Sequence, residues 1–365
     1  MTTSPRPSGG APHPTAPPPS APQPAGPPRG PAGGPPDTAP PATPSHRLDW
    51  RVRFAALALV WGFSFLFIKV GTEAFAPLQV ALGRMVFGAA VLAAALAVKR
   101  ERLPGCVRIW AHLSVSAFFL NTLPYSLFAY AELTISSGLA GICNATSPLF
   151  GMLLSLAALS EDRPTRRRVA GLVVGFGGVL IVLGAWRGFS GQDPAGTAMA
   201  LGAAASYSVG WLYVRRNVAG SPHSALSMSG GQLLLGSAQL LLLTGLFTSL
   251  PARFPVVPLL AVLALGALGT GLAFLIQYGI VAEVGPTTGQ MVTYFIPVIA
   301  TAAGVIVLGE PLTWNTPVGA LIVLLGAALT QLAPARRTRP AGGAEKPERR
   351  LGRGKFRSRL RTPQS

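Results

Sequence analysis

Charge and cysteine are what this sequence has least of. Only 12% of its 365 residues are Asp, Glu, Lys or Arg, against 50% hydrophobic residues, whereas a soluble domain carries about 25% charged residues. That balance points to a surface that meets lipid. The two cysteines, Cys106 in a basic loop and Cys143 in an apolar run, give neither a disulfide framework nor metal-ligand spacing. The four aspartates, Asp37, Asp49, Asp162 and Asp193, all fall in tails or loops, which removes an intramembrane aspartyl dyad. Of the four histidines only His112 lies near an apolar run, and HExxH is missing, so a zinc or Ser/His centre has nothing to build on. A Walker A sequence is also missing, and Gly175-Phe176-Gly177-Gly178 sits inside an apolar run with no strand before it, so it is not a nucleotide loop. These absences speak against a polytopic membrane enzyme and against ATP-driven transport, and no cofactor or metal is expected.

Long apolar runs take the place of those centres. A helix needs about 20 apolar residues to cross a bilayer, and runs of that order lie near 53–72, 77–98, 109–130, 137–159, 168–186, 196–214, 225–248, 256–280, 286–308 and 316–334. Spans of a β-barrel are shorter and alternate in polarity, unlike the leucine-rich stretch from Leu233 to Leu243. The expectation is an all-α membrane protein of ten transmembrane helices. The formal net charge of +18 fits this topology better than nucleic acid, because the basic residues sit in loops and tails and form no aromatic-interleaved stripe. Arg47, Arg51 and Arg53 precede the first span; Lys99, Arg100, Arg102 and Arg108 follow the second; Arg163, Arg166, Arg167 and Arg168 follow the fourth; Arg215 and Arg216 follow the sixth. The opposite loops hold only Arg187 and Arg253. The positive-inside rule then places the first set and both termini in the cytoplasm, in a multi-pass protein of the inner or plasma membrane. The first apolar run starts too late and runs too long for a secretory signal.

Two tails flank the spans. Residues 1–48 are mostly Pro, Ala, Gly, Ser and Thr, a composition with too little apolar surface to fold. Residues 335–365 carry Arg336, Arg337, Arg339, Lys346, Arg349, Arg350 and further basic residues, for which anionic lipid is the simplest partner.

An internal repeat divides the spans into residues 53–186 and 196–334. Trp61 matches Tyr207, Lys69 matches Arg215, Gly83-Arg84 and Gly88 match Gly231-Gln232 and Gly236, Pro148 and Glu161 match Pro297 and Glu310, and Gly171 with Gly178 match Gly319 with Gly326, all at nearly constant offset. Five spans per half is an odd number, so the halves enter the membrane from opposite sides. Inverted repeats of this kind suit alternating access around a shared centre.

Specific residues within the repeat carry a family resemblance. They are Val60-Trp61-Gly62-Phe63-Ser64-Phe65, Gly83-Arg84-Met85-Val86-Phe87, Ser147-Pro148-Leu149-Phe150, Ile296-Pro297-Val298 and Leu308-Gly309-Glu310-Pro311-Leu312-Thr313. The chain resembles an EamA-type member of the drug/metabolite transporter superfamily over roughly residues 55–334; Ser160 replaces the usual glycine in the first-half loop Leu159-Ser160-Glu161. The resemblance implies export or exchange of amino acids, nucleobases or similar small compounds through a central cavity. A scaffold or sensor acting through its tails is the alternative.

Ionisable groups at membrane depth are costly and so locate function. Arg84 lies about seven residues into its span, roughly 10 Å deep at about 1.5 Å per residue, where it could meet a substrate carboxylate; snorkelling or a pair with Glu73 is the structural alternative. Lys69 and Glu73 are spaced for an ion pair on one helical face. The candidate cavity lining is Trp61, Asn121, Asn144, Tyr207, Trp211, Gln232, Gln277, Tyr278 and Tyr294, each of which could instead serve helix packing or interfacial anchoring. Pro124, Pro148 and Pro297 are expected to kink their spans, with Pro148 and Pro297 as candidate hinges. Gly171 and Gly175, spaced as GxxxG, are expected to permit close helix contact. Glu161 and Glu310 end spans beside Thr165 and Thr313, residues suited to capping the following helix, and capping is favoured there over proton coupling. Glu132 and Glu283 are the other carboxylates near span ends.

Overall fold

Several helices start on a residue that satisfies a first-turn amide or on a proline that has none to satisfy. Asp49 accepts from the amide of Arg51 at 2.7 Å and opens α1 (Trp50–Thr72). Proline opens α2 (Pro77–Lys99), and Gln79 folds back on the amide of Ala76 at 2.9 Å. α3 (Val107–Ala117) passes through a π-helical turn at Phe118–Thr122 into α4 (Leu123–Ala131), whose second residue, Pro124, has no amide to extend the ladder. Ser136 caps α5 (Ser137–Asn144), and after a break at Ala145-Thr146 the chain resumes as α6 (Ser147–Ala158). Then come α7 (Arg166–Val182), α8 (Pro194–Asn217), α9 (Ala225–Phe247) and α10 (Val256–Gly266). A second π turn, Ala267–Leu272, leads into α11 (Ala273–Val284), and a 3-10 turn, Met291–Tyr294, precedes α12 (Ile296–Leu308) and α13 (Asn315–Gln331).

This computed structural model describes residues 48–158, 165–184, 193–218, 220–285 and 289–331. Residues 1–47, Glu161 and residues 332–365, on which some sequence expectations rest, lie outside them. The described residues are helical and contain no strand. Six helical segments are long and apolar enough to cross a membrane: Trp50–Thr72, Pro77–Lys99, Ser137–Leu154, Ala225–Phe247, Val256–Val284 and Met291–Leu308. Shorter apolar helices cover Val169–Val182 and Asn315–Leu329. Leucine and isoleucine face outward along them, with Leu241, Leu242, Leu246 and Ile306 exposed. An outer surface of that kind is suited to hydrocarbon and would be an aggregation liability in water.

Helix-end contacts fall into two groups. At one end the Lys69 ammonium donates to the carbonyl oxygens of Glu132 and Ile135 at 2.5 and 3.0 Å, Gln79 donates to Ser249 O at 2.7 Å, and Asn315 donates to Val182 O at 2.8 Å. At the other, Arg53 pairs with Glu283, Ser224 bonds Glu101, Ser227 donates to Arg102 O at 2.8 Å, and His112 meets Tyr213 at 2.8 Å. We refer to these as the Lys69 end and the Arg53 end.

Three expectations change. Lys69 spends its ammonium on backbone carbonyls at the break between α4 and α5, so the Lys69–Glu73 pair is not formed, and the ion pair among the described residues is Arg53–Glu283. Pro148 and Pro297 do not bend continuous helices. Each is the second residue of a new helix, α6 or α12, where a missing amide costs nothing. Glu310 does cap a helix, but α5 rather than α13: its carboxylate accepts from the amide and hydroxyl of Ser137 at 2.8 and 2.9 Å.

Small residues set the closest helix pair. On α7 and α13, a Cβ added to Gly178 would stand 2.6 Å from Val323 N and 2.9 Å from Gly319 O, and one added to Gly326 would stand 2.4 Å from Gly175 Cα and 2.6 Å from Gly171 O. The contacts are reciprocal. Gly178 meets Gly319 and Gly326 meets Gly171, the same residues that the sequence repeat equates in pairs.

Asp193 starts α8, accepting from the Gly196 amide at 2.6 Å and from the Thr134 hydroxyl at 2.7 Å. The Thr134 hydroxyl first, and the Gly196 amide next, hold its carboxyl below the ordinary carboxylate range. A lowered carboxyl contributes stability that is complete above the unfolded-state pKa and lost as pH falls through the folded-state value. Asp193→Asn should therefore keep the cap and flatten the acid limb of a melting-temperature profile against pH; an unchanged limb would count against this.

Candidate functional site

Arg84 is the charged group around which the interior is organised. Only 9% of its surface is exposed, although it sits on an apolar helix two turns from the start of α2. Its Nε donates to Thr270 Oγ1 at 3.0 Å, and its guanidinium carbon lies 3.7 Å from the centre of the Tyr125 ring. Thr270 belongs to the π turn between α10 and α11, and Tyr125 to α4. A π turn rotates the backbone and widens the helix, which brings a side chain inward that a regular helix would direct elsewhere. Here it presents Thr270, itself without exposed surface, to the arginine. The alternative Arg84–Glu73 pair is not formed. With Nε tied and the plane stacked on Tyr125, both Nη groups are left without a hydrogen bond to the protein, as a fork suited to a carboxylate.

Polar side chains from other helices surround this pair. Asn121, in the first π turn, donates to Tyr125 Oη at 3.2 Å and accepts from Gln232 Nε2 of α9 at 2.6 Å. Tyr207 of α8 packs against Phe128, with ring centres 6.3 Å apart, and its phenol lies within electrostatic reach of Tyr125 and Arg84. Tyr278 of α11 hydrogen-bonds Ser229 of α9 and lies within reach of Tyr125. Trp61 of α1 donates to Gly269 O at 3.2 Å, binding the second π turn from its other side. Six of the ten candidates therefore meet in one layer: Arg84, Trp61, Asn121, Tyr207, Gln232 and Tyr278.

The remaining candidates make no hydrogen bond or ring contact with this layer. Gln277 Oε1 and Tyr294 Oη are buried without a hydrogen-bond partner. Asn144 ends α5 half-buried, its carbonyl accepting from Ser147 Oγ at 2.7 Å. Trp211 is 57% exposed and is not brought to the layer. Sequence reasoning missed Thr270 and Tyr125. Gly269-Thr270-Gly271, a hydroxyl between two glycines inside an apolar run, was the available signal for the first; Tyr125 following Pro124, four residues after Asn121, was the signal for the second. Grooves of about 320 and 340 Å³ open elsewhere, beside Glu101 and Arg102 and between α1 and α10. Neither touches Arg84, so chemistry rather than cavity size locates the site.

The profile of the EamA-like transporter family matches the chain twice, over residues 52–184 and 194–332. The chain belongs to the EamA-like transporter family. Both family units contribute to the polar layer, Arg84, Asn121 and Tyr125 from the first and Thr270, Gln232 and Tyr207 from the second. The "Uncharacterized transporter YoaV" of Bacillus subtilis is 24% identical over 284 residues, covering 77% of this chain and 96% of its own. The "Probable amino-acid metabolite efflux pump" of Salmonella typhimurium is 26% identical, covering 74% of this chain and 90% of its own. A solved crystal structure shares the fold with a TM-score of 0.55 and 24% identity, over 77% of this chain and 95% of its own. This EamA-like chain is thus a multi-pass membrane protein of a transporter family.

Proposed function

We propose that this chain exports small zwitterionic or anionic metabolites, amino acids first and nucleobases or drug-like compounds next, by alternating access between two inverted five-helix halves. The observation that carries the substrate class is the Arg84 guanidinium, held by Thr270 and Tyr125 with both Nη groups unspent at the layer shared by the two family units. A buried fork of donors selects a carboxylate, while the Tyr207, Tyr278 and Trp61 rings give flat surfaces that tolerate different side groups. The relative named as an amino-acid metabolite efflux pump supports the same class.

Support for the inverted ten-helix arrangement comes from two features. Helix α7 starts at the Arg53 end while the chain after α12 emerges at the Lys69 end, so repeat-equivalent links lie at opposite ends. The reciprocal glycine contacts between α7 and α13 are those a two-fold axis in the membrane plane would generate. In this reading the Arg53 end, with Arg51, Lys99, Arg100, Arg102, Arg108, Arg166 and Arg215, faces the cytoplasm of the cell membrane, both termini lie inside, and the basic C-terminal tail rests on anionic lipid. Pro148 and Pro297, at helix starts after breaks, are the pivots.

Efflux profiling tests this directly. A strain overexpressing the chain should release amino acids above an empty-vector control when loaded with a panel of amino acids, nucleobases and drugs. Removing residues 1–48 and 335–365 should leave that flux in place. Flux lost with the tails, or no flux for any compound, would overturn the proposal.

A further inference from the structure

One carboxyl in the described residues is buried as no other is. Glu132, in the link between α4 and α5, has no exposed surface, and neither of its carboxyl oxygens has a hydrogen-bond partner. The charged groups that face it are Lys69 from α1, Glu310 from the end of α12 and Arg84 from α2. None forms an ion pair with it. Lys69 is bound to the backbone oxygens of Glu132 and Ile135, Glu310 is bound to Ser137, and Arg84 to Thr270. Asp193, near the same link, is taken up by Thr134 and Gly196. An ion stripped of both water and hydrogen bonds is the costliest group a fold can bury, so this site accommodates the neutral acid.

Its surroundings are a closure. Glu310, from the second family unit, reaches over Gly304 to clamp the start of α5 in the first, since a Cβ at Gly304 would collide with its carboxylate. That clamp ties the two family units together at the Lys69 end, at the helix start that follows Glu132. In the second half, Glu283 near the end of α11 lies two residues past the position that the Pro148–Pro297 offset equates with Glu132. Glu283 is instead exposed at the Arg53 end and paired with Arg53. Similarly placed span-end carboxyls, one buried and one open, are what a two-ended cycle caught with one end shut would contain.

We propose that Glu132 is a proton-binding site of the transport cycle, neutral while the Glu310 clamp shuts the Lys69 end and exchanging its proton with solvent at that end when the clamp opens. This rests on the export reading, in which the clamp is a gate. On opening, the carboxyl O–H bond breaks, water on that face takes the proton, and the carboxylate is hydrated; closing takes a proton back from the same face. Exchange at one face moves no proton across the membrane, so Glu132 gates the cycle rather than powering it. Closing consumes a proton, so flux should fall as pH rises on that face, by up to about tenfold per pH unit once the open-state carboxyl ionises.

Infrared spectra of the full-length protein in lipid test the site without any substrate. At about neutral pH, where exposed carboxyls are ionised, the wild type should show a carboxylic-acid C=O band that Glu132→Gln lacks. Glu310→Ala, which removes the clamp's acceptors and keeps Glu132, should lose that band at the same pH. No acid band in the wild type would mean an ionised Glu132 permanently compensated by Lys69 and would overturn the proposal, with no variant required. A band that survives either substitution would overturn it as well. In proteoliposomes, amino-acid flux through Glu132→Gln should no longer depend on pH at the Lys69 face. Bands that behave as stated in a protein that moves nothing would leave the proton site standing and remove the export reading alone.

Discussion

Arg84→Ala should reduce export of carboxylate-bearing substrates by about 10- to 100-fold in proteoliposome flux, while the variant still inserts and purifies. The magnitude follows from the chemistry of the fork. A hydrogen bond to a charged group contributes about 1.5–3 kcal/mol, and about 1.4 kcal/mol corresponds to a factor of ten. Arg84 touches Thr270 and Tyr125 through Nε and the guanidinium face, and these contacts come from elements that also hold each other by other means: Trp61 binds the π turn at Gly269, and Asn121 binds Tyr125. Thr270 keeps a bond to Leu265 O at 3.4 Å once the arginine is gone. Folding should therefore suffer less than transport. Arg84→Lys should fall between the two, because it keeps the charge but loses both the planar stack on Tyr125 and the paired donors. Neutral nucleobases supply the internal control, since a loss confined to amino acids identifies the carboxylate as what Arg84 reads. Equal flux of amino acids through wild type and Arg84→Ala would remove the arginine from the site.

How far the sequence revealed this arrangement depended on what each feature costs in hydropathy. The helical, apolar character was legible because a bilayer-length apolar run is a large signal: six helical segments are long and apolar enough to cross a membrane, and helices such as Trp50–Thr72, Pro77–Lys99 and Ala225–Phe247 begin and end within a few residues of the expected positions. The two π turns were not. One extra residue per turn leaves composition unchanged, yet it is these turns that carry Asn121 and Thr270 into the polar layer. Arg84 stood out because a charge in an apolar run is rare, whereas Thr270 and Tyr125 look like any hydroxyl in a transmembrane helix. Trp211 has the chemistry of a cavity residue, but the helix turns it outward, and a single sequence does not reveal which face of an evenly apolar helix is buried. Glu132 is the opposite case. At a span end it reads as a loop carboxylate in water, yet it is fully buried, with Glu310, far along the chain, bonded to Ser137 in the adjoining helix start. Long-range contact of that sort has no local trace.

The same argument predicts where the fold should be least tolerant. Gly177 and Gly178 are adjacent on α7, yet only one faces α13. A Cβ at Gly178 would stand 2.6 Å from Val323 N and 3.0 Å from Ile322 C, whereas one at Gly177 meets nothing within 4 Å. Backbone atoms cannot swing aside as a flexible side chain can, so Gly178→Val must push the helices apart, and overpacking of this kind costs about 1–3 kcal/mol or more. The loss is compounded because the attraction between these helices is mostly close van der Waals contact, which separation removes along the whole pair. Gly177→Ala should be neutral or slightly stabilising, since alanine is the better helix former by about 0.5–1 kcal/mol. Thermal unfolding in detergent, followed by size-exclusion, should show Gly178→Val melting well below wild type and Gly177→Ala at or above it. Flux should follow the same order if α7 and α13 join the two halves at their common axis, because a transporter whose halves cannot keep their shared contact cannot rock between two closed ends. If Gly178→Val melted with the wild type, α7 and α13 would not be in backbone contact, and the axis proposed to relate the halves would lose its main physical support.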